Sequence, residues 1–383
     1  MSVVSFIFWV LLASVFYSYI GYGLVALLLG KARRLPKQKE PSPIPPVTLV
    51  IAAYNEGKIL AQKLDNTAAL QYPTDRLTVL VVDDGSDDNS VAILQQYPGI
   101  RLIQHLERRG KIAALNTAME QVQTPIVVFS DANSLLNPES IAMLVRHFSD
   151  EHIGAVAGEK KIAHTSGMGD AEGWYWKYES YMKKLDASLY TVLGATGELF
   201  ALRTHLFQPI SEDVILDDLM LSLQVSLQGY AIAYEPGAYA LESPSNTLAD
   251  EERRKVRIAT GAYQSLRKLS MNSMLKKPVL AFQFFSRRWL RWVLCPFAIV
   301  LLLVLNIVLA VYSEHAVYDY LLLAQALFYG AALIGWLLIR QNRSFIITTI
   351  PFYFLFMNFC MLKGLQHYWW DKQTVLWSKA ERQ

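Results

Sequence analysis

The stretch LTVLVVDDGSDDNS, residues 77–90, runs from β-branched and apolar residues into an acidic turn, and SVAILQQY follows with helical spacing. A short unbroken apolar run bounded by turn residues reads as a strand buried on both faces. Working outward, the same pattern recurs. VTLVIAAYNE (47–56) precedes GKILAQKLDNTAAL (57–70), IRLIQH (100–105) precedes GKIAALNTAMEQV (110–122), and PIVVFSDANS (125–134) precedes ESIAMLVRHFS (139–149). Strands alternating with helices predict an α/β domain whose sheet is mostly parallel and flanked by helices. In such sheets ligands bind beyond the carboxyl ends of the strands. Three of those ends are polar here: Asn55-Glu56, Asp83-Asp84 and Asp131 to Asn133.

The rest of the 383-residue chain is unlike this domain. Overall it is 53% hydrophobic and 18% charged, more apolar and less charged than an average soluble domain. The excess is concentrated in a few runs. Residues 3–29 carry no charge, and three further apolar runs occupy 292–312, 318–339 and 345–365. Each approaches or exceeds the roughly 20 residues that cross a bilayer as a helix. The first run has nothing basic before it and Lys31, Arg33 and Arg34 directly after it, which favours an uncleaved anchor over a signal peptide. The last run is the least regular, holding Pro351, Asn358 and Lys363.

The expected organisation is therefore an anchor (1–30), a basic and Pro-rich linker (31–46), a catalytic domain (47–275), an interfacial amphipathic helix (276–291), a C-terminal membrane region (292–365) and a tail (366–383). Basic residues near the spans (Lys37, Lys39, Lys276, Lys277, Arg287, Arg288, Arg291, Arg340, Arg343) place the globular domain in the cytoplasm by the positive-inside rule. The expected location is an inner or plasma membrane, with membrane lipids as neighbours. The tail, with Lys372, Lys379 and Arg382, fits that topology poorly if all four runs cross.

Several functions are excluded. A net charge of +3 is too mild for a nucleic-acid protein. Cys295 and Cys360 are the only cysteines, so no disulfide framework exists. GKIAA (110–114) lacks the residues of a phosphate-binding Walker loop, no G-x-G-x-x-G follows a strand, and neither G-x-S-x-G nor H-E-x-x-H occurs. What remains is acidic. Asp131 and Asn133 offer oxygen donors at i and i+2, on one side of extended chain. Such donors suit Mg²⁺ or Mn²⁺, and magnesium commonly keeps one or two protein carboxylates and completes its shell on phosphates.

Seven segments in order carry a family resemblance: AAYNE (52–56), VVDDGS (81–86), RRGKIAALN (108–116), FSDANS (129–134), GATGELFALR (194–203), LDDLMLSLQVSLQGY (216–230) and RRKVRIATG (253–261). Together they resemble the family 2 glycosyltransferases, most of all the membrane-embedded branch of cellulose, hyaluronan and poly-N-acetylglucosamine synthases. The resemblance implies a GT-A-type nucleotide-sugar-binding fold and an inverting transfer from a nucleotide sugar, expected to be a UDP-sugar, to a glycan or lipid-linked acceptor. It implies that Glu56 lies in the donor site, that Asp83 or Asp84 contacts the base, and that Lys111 approaches the diphosphate. Asp131 and Asn133 would hold the divalent metal, and Gly194 and Gly197 would border the acceptor pocket. Asp218 would be the general base, with Asp217 supporting it. Other polysaccharide-export subunits are partners of the kind this branch implies.

Two departures stand out. Asn133 replaces a frequent second Asp. The Gln-x-x-Arg-Trp of processive synthases becomes Arg254-Lys255-Val256-Arg257-Ile258. Arg257 keeps a diphosphate-binding guanidinium, whereas Ile258 offers no aromatic face to a sugar, which brings single or short-chain transfer level with processive synthesis. Trp174, Tyr175, Trp176 and Tyr178 are alternative stacking surfaces. Two other classes compete: a silent scaffold subunit of an envelope-polysaccharide complex, and a transporter. The transporter is disfavoured by spans without central charges or internal repeats.

Overall fold

A computed structural model describes residues 2–30, 42–163, 168–243 and 247–370. The basic run at 31–41 and the tail from 371 onward lie outside the described residues. The strands are β1 (Val47–Ala53), β2 (Leu77–Asp83), β3 (Ile100–Gln104), β4 (Ile126–Asp131), β5 (Leu135–Leu136), β6 (Ile153–Ile162), β7 (Phe200–Arg203) and β8 (Ala231–Glu242). The helices are α1 (Ser2–Gly30), α2 (Leu60–Ala68), α3 (Ser90–Leu94), α4 (Lys111–Gln121), α5 (Ser140–Arg146), α6 (Met168–Leu189), α7 (Asp217–Leu227), α8 (Leu248–Lys268), α9 (Met271–Leu275), α10 (Pro278–Tyr312), α11 (Val317–Arg340) and α12 (Ile346–Trp370).

The strands form one sheet in the order β3-β2-β1-β4-β7-β6-β8-β5. β3, β2, β1 and β4 are parallel, as the repeating strand–helix pattern requires. Alternate residues of these strands point to opposite faces. Leu49, Ile51, Val81 and Val128 pack under α2 and α5 with Leu60, Leu64, Ile141 and Leu144. Val50, Leu80, Val82 and Val127 pack under α4 and α7 with Ile112, Leu115, Leu221 and Val225. The second half keeps the sheet mostly parallel: β8 pairs parallel with β6, and both run with β1–β4, while β7 is antiparallel to β4 and β6 and β5 is antiparallel to β8. β4 ends at Asp131, whereas β7 begins just after the turn Gly194–Gly197 at that same end of the sheet. The chain is leaving that end, so β7 must run the other way.

α1, α10, α11 and α12 are each long and apolar enough to cross a membrane. Phe6, Leu28, Val304, Leu327 and Ile347 stand exposed on them, a surface suited to hydrocarbon. The segment expected as a separate interfacial helix at 276–291 is not separate. From Pro278 it continues into the following span as one helix, π-helical over Phe285–Leu294. Its arginines turn inward: Arg287 is fully buried, bonding Glu179 at 2.6 Å, and Arg291 bonds the same carboxylate at 2.9 Å. α12 lies along α8. A Cβ at Gly364 would fall 2.4 Å from the Ala259 side chain, so only glycine admits this approach. Lys363 pairs with Glu252 at 2.5 Å and Tyr353 donates to Glu251 at 2.8 Å. Of the polar residues that made this last run look irregular, Lys363 faces the soluble domain, whereas Asn358 donates to the Tyr19 hydroxyl of α1 at 2.9 Å.

Candidate active site

Beyond the carboxyl end of β4 the chain builds an acidic cluster around one lysine. Lys111 opens α4, and its Nζ lies 2.6 Å from Asp131 Oδ1 and 3.3 Å from Asp217 Oδ2. Burial opposes the charge on Lys111, but Asp131, Asp217 and Asp218 outweigh it and push its pKa above the ordinary lysine value. Asp217 and Asp218 form the first turn of α7, where helix-dipole charge favours acids. Leu219 N–H donates to Asp218 Oδ1 at 2.7 Å. Even so, Asp218 is raised to about 7, first by removal from water and then by repulsion from Asp217, with Lys111 opposing. A carboxyl that titrates near neutrality is matched to proton abstraction at physiological pH.

Lys111 is itself held by a relay of backbone bonds. Asp84 accepts from the N–H groups of Arg109 at 3.0 Å and Gly110 at 2.6 Å, and its other contact is His105 Nδ1 at 2.9 Å. Gly85, at φ +73°, lets the 107–108 backbone press against the strand end, where a Cβ would sit 2.7 Å from Glu107 C. Asp83 accepts from Ser86 N–H at 3.1 Å and from its hydroxyl. Both carboxylates are buried and serve neighbouring N–H and O–H groups of the turn that holds the loop before Lys111. Glu56 starts α2 through its carbonyl, while its N–H donates to Ser90 Oγ at 3.0 Å.

The acids face a cavity of about 270 Å³. Of the residues singled out from sequence, it brings together Lys111, Asp131, Gly194, Gly197, Asp217, Asp218, Arg254 and Arg257. Glu56, Asp83, Asp84 and Asn133 are not among its walls. Arg254 is braced by Glu172 and, at 2.9 Å, by Glu251, so its charge is neutralised within the protein. Arg257 is pulled below the usual arginine value by burial, against the attraction of Asp217 and Asp218. Tyr175 and Trp176 line the cavity, whereas Trp174 is exposed outside it and the Tyr178 hydroxyl donates to Tyr19 O at 2.9 Å.

The donor set fits a hard divalent cation. Asp131 presents a partly exposed carboxylate already accompanied by an ammonium, and Asn133 directs its amide nitrogen to Glu242 Oε1 at 3.3 Å. No group of three or more His, Cys, Asp or Glu able to hold a metal occurs among the described residues. A cation here would keep one or two protein oxygens and take the rest from phosphate and water.

Other wall residues escaped the sequence reading. Lys160, inside β6, pairs with Glu198 at 2.5 Å and with Glu242, and Glu198 is lowered to about 2: burial opposes this, and Lys160 overcomes it. Away from the cavity walls, Arg108 stacks 3.9 Å over the Tyr54 ring just past the end of β1. Tyr54 was quoted within AAYNE and Glu198 within GATGELFALR without roles. Nothing in the local pattern marks Lys160.

A sheet that gathers acids and a lysine at the end of its parallel strands has its polar site where open α/β sheets bind their ligands. Residues 48–209 match the model of glycosyl transferase family 2. It is similar to the poly-beta-1,6-N-acetyl-D-glucosamine synthase of Staphylococcus aureus (strain COL), 27% identical over 244 residues, 60% of this chain and 58% of the relative. It is also similar to the beta-monoglucosyldiacylglycerol synthase of Synechocystis sp., 29% identical over 238 residues, 58% of this chain and 49% of the relative. The chain thus spans less than two thirds of either relative. The mannosyltransferase PcManGT from Pyrobaculum calidifontis, solved with GDP-Man and Mn²⁺, shares the fold at a TM-score of 0.74 and 22% identity, over 97% of this chain and 100% of that one.

Proposed function

We propose that this protein transfers a sugar, with inversion, from a nucleotide sugar (a UDP-sugar on the resemblance) to a glycan or lipid-linked acceptor at the membrane. The observation that supports this most is the placement of Asp218, raised to about 7, in one cavity with Lys111, Asp131 and Arg257. The donor diphosphate lies toward Lys111. Asp218 takes the proton of the acceptor hydroxyl as that oxygen bonds to the anomeric carbon. The bond from that carbon to the diphosphate breaks, and its electron pair leaves with the nucleoside diphosphate. Lys111 and Arg257 offset the charge that develops there. Asp217 keeps Lys111 in place, and Asp131 with Asn133 would hold a divalent cation, which supplies further positive charge to the diphosphate. The basic residues flanking the spans support a cytoplasmic face for this chemistry. Ile258 lines the cavity where processive relatives carry Trp, which supports short transfers over long chains.

The test is nucleoside diphosphate release by the full chain in membranes, with Mn²⁺ and a panel of nucleotide sugars. One donor is expected to turn over, to stop on chelation and to recover with Mn²⁺ or Mg²⁺. Silence with every donor and acceptor extract, despite intact donor binding, would favour a scaffold instead.

A further inference from the structure

The cavity does not stop at the acids. On its membrane side the walls pass to Tyr19 of α1, Arg288 of α10, and Asn358 and Met361 of α12. The chemistry there is cationic. Trp176 is surrounded by three ammonium groups, Lys160, Lys183 and Lys255, at 5.2, 5.6 and 5.8 Å from its ring centre. Lys160 pairs with Glu198 and Glu242, and Lys255 with Glu251 at 3.5 Å. Lys183 differs. It is 4% exposed and lines the cavity, and among the described residues its ammonium makes no hydrogen bond or ion pair, only the contact with Trp176. Arg288 beside it donates to the Leu193 carbonyl through Nη2 and, at 3.2 Å, through Nε, and pairs with no carboxylate among the described residues. A buried, unpaired cation is costly, and its pKa is accordingly depressed by burial. Two such cations aimed into one cavity make sense when an anion joins them.

We infer that Lys183 and Arg288 bind the phosphate of a lipid-borne acceptor, holding it beside the catalytic acids. This rests on the glycosyltransferase reading and names the class of its acceptor. Position argues against the donor diphosphate as the occupant. Arg288 Nη2 abuts Gly194, 3.1 Å from where a Cβ would stand, while Lys111 Nζ and the Asp218 side chain abut Gly197. The two ends are thus separated by the Gly194–Gly197 segment, which spans at most about 11 Å. Donor chemistry belongs to the Lys111 end. The Arg288 end is walled by helices that suit hydrocarbon, so a phosphate there has room for an apolar tail on the membrane side and a hydroxyl-bearing group on the Asp218 side.

The test uses the full chain in a neutral detergent with three probes: dodecyl phosphate, inorganic phosphate and dodecyl β-glucoside. UDP with Mn²⁺ is measured on the same samples. Dodecyl phosphate is expected to bind best and not to be displaced by UDP. Lys183→Met and Arg288→Gln should each weaken it about tenfold or more, and Lys183→Arg should restore it. Lys183→Met removes an unpaired charge, so its apparent melting temperature should not fall; a residue with a merely structural role would lower it. The proposal is overturned if UDP displaces dodecyl phosphate, if inorganic phosphate or the glucoside binds as well, or if the variants bind it like the parent. Loss of UDP binding in the parent, with dodecyl phosphate still bound, would instead count against the donor reading.

Discussion

Replacing Asp218 by Asn probes the proposed base on two axes at once. Asn keeps the size and the acceptor oxygen for Leu219 N–H but cannot take a proton. A positioned general base contributes roughly 10²- to 10⁴-fold, so turnover should fall by that factor with little change in donor binding. The second axis is stability. Asp218 is raised from 3.8 to about 7, by burial above all. Its native form therefore holds a proton more tightly than the unfolded chain does, and stability falls as pH rises from about 4 and levels off above about 7. At 1.36 kcal/mol per unit, the penalty at neutral pH is on the order of 2–4 kcal/mol. Asp218→Asn escapes it. The assays are single-turnover nucleoside diphosphate release from about pH 5 to 9 and thermal melts over the same range. The parent rate should climb through about pH 7, and the variant's melting temperature should pull ahead of the parent's as pH rises. A variant turning over within about threefold of the parent, or a melting gap that narrows with rising pH, would refute the reasoning.

Lys111→Met leaves Asp131 and Asp217 without the ammonium that joins them at 2.6 and 3.3 Å. Donor affinity measured with UDP should drop at least about tenfold, and the rate profile should move to higher pH as Asp218 loses its neighbouring cation. Gly85→Ala forces a Cβ to 2.7 Å from Glu107 C at φ +73°; the loop before Lys111 must shift, so UDP affinity should fall even in protein that still elutes as a single species. Arg287→Met takes from the buried Asp186 the guanidinium it meets at 3.4 Å and leaves the buried Glu179, which it meets at 2.6 Å, with Arg291 alone. Breaking such a pair costs about 3–5 kcal/mol, read as a lower melting temperature or loss of extractable protein.

The first half of the sheet was legible because each strand there is an apolar run that ends in polar residues and is followed by a helix of matching period. The second half was not. β6 reads IGAVAGEKKI, and a lysine inside a strand argues against burial until Glu198 and Glu242, remote in sequence, are seen to neutralise it. The acid cluster was legible through the ordered motifs; its geometry was not, since Lys111, Asp131 and Asp217 meet only because β4 ends where α4 and α7 begin. The turn bonds of Asp83 and Asp84 were not legible, because a strand-end carboxylate looks the same in sequence whether it faces a ligand or its own turn. Arg287, Arg288 and Arg291 resembled a charged membrane surface, while the helix in fact turns Arg287 and Arg291 onto one buried glutamate. Lys183 sits in an ordinary-looking KKLD stretch, and only the fold gives it a cavity and, among the described residues, no carboxylate partner.

Direct displacement at the anomeric carbon by an acceptor oxygen that Asp218 deprotonates inverts that carbon. The measurement that bears on it most directly is the anomeric configuration of the transferred sugar, read by NMR on product made by the full chain from an α-linked donor. A β-linked product, absent with Asp218→Asn, is the predicted result; an α-linked product would contradict the claim.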